Sequence, residues 1–208
     1  MKIPYYLLII GLIIILGMVV ITSTANTLII QTEQDFDEEE VNELLDEIYN
    51  DISTYIKIDR AIGIYQTVDN QRILSKIAIQ VHSLFSKDIQ IKDMVIEISN
   101  GDQIKYFSNI YFYDTLENHS LFAHPLFNQI SEGSFGVISI SDKDDSISGQ
   151  QLINHNSDRF FIIINLTDVM KIKSGDYLSL TLVPSVGTIR TIEITPPFST
   201  KPVVDLLK

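Results

Sequence analysis

The chain has 208 residues, a formal net charge of -12, four histidines, and no cysteine or tryptophan. An acidic balance of that size excludes nucleic-acid binding, which needs a basic face. The missing cysteines exclude disulfides, thiol catalysis and Cys-ligated zinc, and the length allows one globular domain plus a helix.

From Ile3 to Thr32 no residue is charged. Leu7, Leu8, Ile9, Ile10, Leu12, Ile13, Ile14, Ile15, Leu16, Val19 and Val20 make an apolar run, and Leu28 extends it. Roughly 20 apolar residues cross a bilayer core, so the run suffices for a membrane helix or for the core-forming stalk of a filament subunit. It exceeds the apolar region of a signal peptide, although the small residues Thr22, Ser23, Thr24 and Ala25 mark where cleavage would fall. Lys2 before the run and acids after it favour an inside N-terminus and an outside C-terminus.

The next stretch carries Glu33, Asp35, Asp37, Glu38, Glu39, Glu40, Glu43, Asp46, Glu47 and Asp51 with no basic residue among them. Within it and just beyond, Val41, Leu44, Leu45, Ile48, Ile52, Tyr55 and Ile56 recur at spacings of three and four, which makes one apolar stripe on a helix. No glycine or proline lies between Met18 and Ala61. A single helix from about Pro4 to about Ile58 would be on the order of 80 Å long. The alternative is a membrane helix, a break near Glu33, and a second amphipathic helix packed on the domain. The stripe suits lateral packing in a polymer and docking onto its own domain equally well.

From residue 61 the pattern changes to period two with β-branched residues. Expected strands are Ile62–Val68, Ile73–Val81, Ile91–Ile98, Ile104–Tyr113, Phe135–Ile140, Arg159–Leu166, Tyr177–Val183 and Thr188–Ile194. Turn signals such as Asp69-Asn70, Asn100-Gly101-Asp102 and Ser174-Gly175-Asp176 separate them. The expected fold class is α+β: a long N-terminal helix over residues 1–60, then an antiparallel β-sandwich over residues 61–208. The run from Phe160 to Ile164 is apolar on both faces and reads as a central strand. The segment Asn118–Glu132 holds few strand signals and reads as a surface excursion.

Catalytic patterns are absent: no HExxH, no GxSxG and no phosphate loop. His119 and His124 read as exposed loop residues, and no enzyme and no cofactor are expected. Asp142-Lys143-Asp144-Asp145-Ser146 places oxygen ligands at alternate positions, as a calcium loop does, but lacks the sixth-position glycine and the closing glutamate. A solvated hairpin tip is the plainer reading. Asn118-His119-Ser120 and Asn165-Leu166-Thr167 are sequons, making Asn118 and Asn165 candidate glycan acceptors.

The order of these pieces resembles the archaellin family, the subunits of the archaeal flagellum. Ile21-Thr22-Ser23-Thr24-Ala25-Asn26-Thr27-Leu28 is similar to the family's stretch leaving the apolar helix. Ile77-Ala78-Ile79-Gln80-Val81 and Asp88-Ile89-Gln90-Ile91-Lys92-Asp93-Met94-Val95-Ile96 are similar to its early strands. Lys171-Ile172-Lys173-Ser174-Gly175-Asp176-Tyr177, then Leu182-Val183-Pro184-Ser185-Val186-Gly187, resembles its closing hairpin, and Thr195-Pro196-Pro197 its ending.

The resemblance implies an Ig-like sandwich and a homo-polymer joined through the N-terminal helix. It also implies passage through the membrane before assembly, display on an extracellular filament, and frequent N-glycosylation. One feature departs from the family. Its precursors carry a short basic leader ending in glycine, whereas the first glycines here are Gly11 and Gly17, inside the apolar run. Either the leader is missing from this numbering or the chain is never cut; an uncut chain would bring Lys2 into a filament core with no acid before Glu33 to pair with it, and unpaired buried charge costs several kcal/mol. That points to the alternative of a membrane-anchored, stator-like or envelope-binding accessory of the same motility system. An extracytoplasmic ligand-binding domain unrelated to motility is the third reading.

Overall fold

The computed structural model describes residues 38–116 and 120–207. The expected helix core up to Leu28, and Asn118, lie outside them. Among the described residues no helix is long and apolar enough to cross a membrane. Helix α1 covers Glu38–Ser53. Residues from Leu45 onward form one compact unit, while Glu38–Leu44 fall in another.

Strand β1 runs from Ile56 to Val68 and β2 from Gln71 to Ser83. Asp69 and Asn70 turn the chain between them with φ of 51° and 59°. Two positive φ values in a two-residue loop match the right-handed twist of a hairpin, and Asp and Asn tolerate them best. Then follow β3 (Ile89–Gln90), β4 (Val95–Ser99), β5 (Ile104–Thr115), β6 (Ser134–Ser141), the short helix α2 (Ser146–Gln150) and β7 (Leu152–Ile153). Strands β8 (Arg159–Asn165), β9 (Leu178–Val183), β10 (Arg190–Ile194) and β11 (Val203–Asp205) complete the fold.

Nine strands share one hydrogen-bonded sheet in the order β10-β9-β4-β5-β6-β8-β2-β1-β11, and β3 pairs with β7 alone. The sheet turns back on itself. Ile77, Ile79, Phe160 and Ile162 from one half join Ile96, Ile98, Leu178 and Leu180 from the other in a single buried cluster. The period-two alternation of β4 and β9 puts those residues inward and leaves Glu97, Ser179 and Thr181 on the other face.

The outer face of the β6-β8-β2 half carries a second core. Ile138, Phe161, Ile163 and Ala78 are covered there by Leu126, Phe127 and Ile130. The segment expected as a surface excursion is therefore a lid, and it explains why Phe160–Ile164 is apolar on both faces. Gly136 lets the lid sit down: a β-carbon there would lie 3.0 Å from Ile130 and 3.1 Å from both Leu126 and Ile163.

Four further sequence expectations need correction. The sandwich is not wholly antiparallel, because β5 and β6 pair in parallel. Residues 116–133 lie between them, long enough for the crossover a parallel pair requires. Helix α1 ends at Ser53 rather than near Ile58. Ile56, expected on the helix stripe, opens β1 and is fully buried; Ile56, Ile58, Ala61 and Ile62 pair with β2, and that pairing overrides the helical spacing. His124 is not an exposed loop residue but 1 % exposed. Its Nε2 lies 3.0 Å from the Thr115 carbonyl, and its Nδ1 accepts the Leu126 N–H.

Candidate functional site

Two features stand out by chemistry, a face of α1 and a cluster of carboxylates. On α1, Leu45, Ile48 and Ile52 are 56 %, 46 % and 55 % exposed. Tyr49 beside them is exposed too, as are Val41 and Leu44 one turn earlier. Leu45, Ile48 and Ile52, which belong to the same compact unit as the sandwich, are not docked onto it. Apolar residues at helical spacing that stay in solvent make this face the candidate interaction surface of the described residues. Asp46 and Glu47 of the same helix are exposed as well.

The carboxylates come from two loops. Residues 142–145 leave β6, and Asp145 takes a left-handed φ of 57° before α2. Asp142 Oδ2 accepts the Ser148 N–H at 3.1 Å, and Asp144 Oδ2 accepts from Asn154 Nδ2 at 2.9 Å. Asp158, at the end of the turn leading into β8, is fully buried. Its Oδ2 accepts the N–H groups of Asn154 and His155 at 3.2 and 2.9 Å, while the buried Oδ1 has no hydrogen-bond partner. One carboxylate oxygen from each of Asp142, Asp144 and Asp158 lies within 4.8 Å of the others.

Burial pushes the Asp158 carboxyl above its ordinary range, and the negative charges of Asp144 and Asp142 push it further. The hydrogen bond from Asn154 holds Asp144 below that range. An all-oxygen donor set carrying this much like charge suits a hard divalent cation such as calcium or magnesium. The loop read as a solvated hairpin tip thus brings Asp142 and Asp144 beside the buried Asp158. The sequence pattern pointed at Asp142 and Asp144 but not at Asp158, which joins them only through the β7–β8 turn.

The remaining candidates are structural. His82 Nδ1 lies 2.6 Å from Asp59 Oδ2, where Asp59 is the extra residue of a β-bulge in β1. Burial of the Tyr113 ring raises its hydroxyl pKa, against hydrogen bonds with Ser139 and Ser148. Asn165 spends its amide on the fold: Nδ2 donates to the Phe127 carbonyl at 3.3 Å and Oδ1 accepts the Thr167 N–H at 3.1 Å. A cleft of about 410 Å³ opens beside the β1–β2 hairpin, lined by residues including Gln66, Leu74, Asp102, Asp168 and Lys171 and no histidine.

A helix with an exposed apolar stripe therefore precedes a sandwich built from one folded-over sheet. The chain belongs to the archaeal-type flagellin family, whose model matches residues 9–194, and with that membership it is a structural subunit of an archaeal flagellar filament.

Among solved structures the chain resembles archaeal flagellin FlaB1 from Methanocaldococcus jannaschii. The identity is 20 % and the TM-score 0.62, covering 73 % of this chain and 95 % of that one. It also resembles the archaeal flagellum of Methanospirillum hungatei strain JF1, at 9 % identity and TM-score 0.51 over 96 % of this chain and 98 % of the other. The periplasmic stator complex of FlaF and FlaG from Sulfolobus acidocaldarius matches at 13 % identity and TM-score 0.39, over 67 % of this chain and 88 % of that one. No curated protein matches the sequence. At these identities the two flagellar likenesses speak for the fold alone, and the stator match carries no argument.

Proposed function

We propose that this subunit polymerises with copies of itself through its N-terminal helix, after passing through the cytoplasmic membrane, and displays the sandwich on the outside of an extracellular filament. The observation that carries this reading is the exposed stripe of Leu45, Ile48 and Ile52 on α1. In the sequence it follows the uncharged Ile3–Thr32 run, after the acidic residues from Glu33 to Glu40. In a bundle of such helices the cohesion is van der Waals packing between apolar side chains, and the stripe extends that packing beyond the run. The sandwich needs no partner for its own core, since both of its buried clusters close within the chain.

The test is intact mass and N-terminal sequencing of the protein in two fractions, sheared surface filaments and membranes. Abundant protein in the filaments is the expected result, with an N-terminus that shows whether a leader has been removed. Protein found only in membranes, with Met1 and Lys2 retained, overturns the polymer and leaves an anchored accessory.

A further inference from the structure

Only Thr54 and Tyr55 separate α1 from β1. Such a junction is often a loose tether, yet here it is gripped from two sides. Thr54 is 1 % exposed. Against it lies Gly187, in the turn between β9 and β10, with a φ of +98°. A β-carbon at Gly187 would overlap Thr54 Oγ1 and come within 2.7 Å of Thr54 Cβ and 3.0 Å of its carbonyl oxygen. Glycine is required there twice, once for the backbone angle and once for the approach. The turn is itself held, since Ser185 Oγ accepts the Gln90 N–H at 3.2 Å.

Tyr55 takes the other contacts. Its N–H donates to the Ile52 carbonyl at 3.2 Å, continuing the last turn of α1, and its carbonyl accepts the Leu84 N–H at 3.1 Å. The Arg190 guanidinium lies 3.6 Å from the centre of its ring, a close cation–π stack. One turn back on α1, Lys87 Nζ stands 5.7 Å from the Tyr49 ring centre. No glycine or proline lies in residues 18–62 to act as a hinge.

We infer that the Ser185–Gly187 turn, together with Arg190, is a clamp that fixes the direction of the Leu45–Ser53 part of α1 where it joins the sandwich, with Gly187 as its positioning residue. The consequence for assembly rests on the proposed polymer: a fixed exit lets the packing of the helices set the position of every sandwich on the filament surface. The clamp itself does not depend on that reading. Substituting Gly187 removes the required backbone angle and drives a side chain into Thr54, so the turn must retreat and the junction loosens.

The absence of native cysteines allows a clean test on the full chain in detergent. Spin labels at D46C and K105C report the distance from α1 to the sandwich, and a control pair at K171C and K105C reports the sandwich alone. Pulsed dipolar spectroscopy should give one narrow α1–sandwich distance in the otherwise native chain. That peak should be lost in Gly187→Val and broadened in Arg190→Ala, with the control pair unchanged. A broad distribution in the native background, or a narrow one retained in Gly187→Val, overturns the clamp. If Gly187→Val also disturbs the control pair, Arg190→Ala decides: broadening of the α1 pair alone supports the clamp, and an unchanged peak overturns it. The label distances need no filament, so a failed polymer reading leaves this result standing.

Discussion

The Nδ1 atom of His124 accepts the backbone N–H of Leu126 at 3.2 Å, inside a pocket that leaves the ring 1 % exposed. That bond caps the short helical turn Pro125–Asn128 and aims Leu126 and Phe127 onto the outer face of the sheet. Removing the ring leaves the Leu126 N–H buried without a partner, which costs about 1–3 kcal/mol. His124→Ala should therefore lower the chemical-denaturation midpoint of the full chain. Phe127→Ala, which opens a cavity under the same lid, should cost more, about 3–5 kcal/mol. If neither variant shifts the midpoint, the lid is not part of the cooperative fold.

The exposed stripe leads to the opposite expectation. Ile48 is 46 % exposed, so Ile48→Asp should leave the unfolding midpoint of the sandwich almost unchanged, within about 0.5 kcal/mol. The same substitution should abolish filaments, since it places a charge in the face proposed to pack. Ile13→Lys, in the apolar run, should do so as well, at about 2.5–3.5 kcal/mol on the membrane-insertion scale. Normal filament yield from Ile48→Asp would remove α1 from the assembly surface.

At the carboxylate cluster, calcium should stabilise the folded chain. Extracellular oxygen-ligand sites bind at about 0.1–1 mM, and ligand at a hundredfold excess over its dissociation constant adds about 2.7 kcal/mol. The rise in melting temperature on adding calcium, reversed by a chelator, is the measurement. Asp142→Ala should remove most of the shift. An equal calcium response in that variant would mean that the ion acts elsewhere.

Lys76 carries a pH dependence with a definite sign. Its ammonium lies 4.7 Å from the Phe127 ring centre, and burial lowers its pKa from 10.5. A lysine that releases its proton earlier when folded leaves the unfolded chain holding more protons between the two pKa values. Stability then rises with pH across that window. Compared with Lys76→Met, the native chain should gain stability as the pH approaches 10.5. A difference that stays flat or falls would mean that burial does not control this amine.

Asn165 should carry no glycan despite its sequon, because both ends of its amide are bonded within the fold. Peptide mass spectrometry of purified filaments checks this directly. A glycopeptide containing Asn165 would show that modification precedes closure of the lid.

Most strands were legible because period-two alternation and turn residues are local signals, as at Arg159–Asn165 and the Asp69-Asn70 turn. What escaped depends on partners distant in sequence. Val203–Asp205 is too short to show a pattern, and β1 alone makes it a strand. Ile56 fits the helix stripe by spacing, and only its pairing with Ser83 settles its state. Asp158 reads as an ordinary turn residue until folding buries it beside Asp142 and Asp144. The parallel contact of β5 with β6 leaves no mark in either strand.

The pairing of β1 with β11 has a consequence for the timing of folding. Arg60 and Asp205 form an ion pair at 2.6 Å across 145 positions of sequence. The first strand of the sandwich thus receives its outer neighbour last. While the ribosome adds residues at about 5–20 per second, that edge stays open for on the order of ten seconds. Throughout that interval Ile62, Gly63 and Ile64 present backbone groups that only Val203–Asp205 will satisfy. A nascent chain with an open strand edge and an exposed apolar helix needs shielding from its own copies until the final strand arrives.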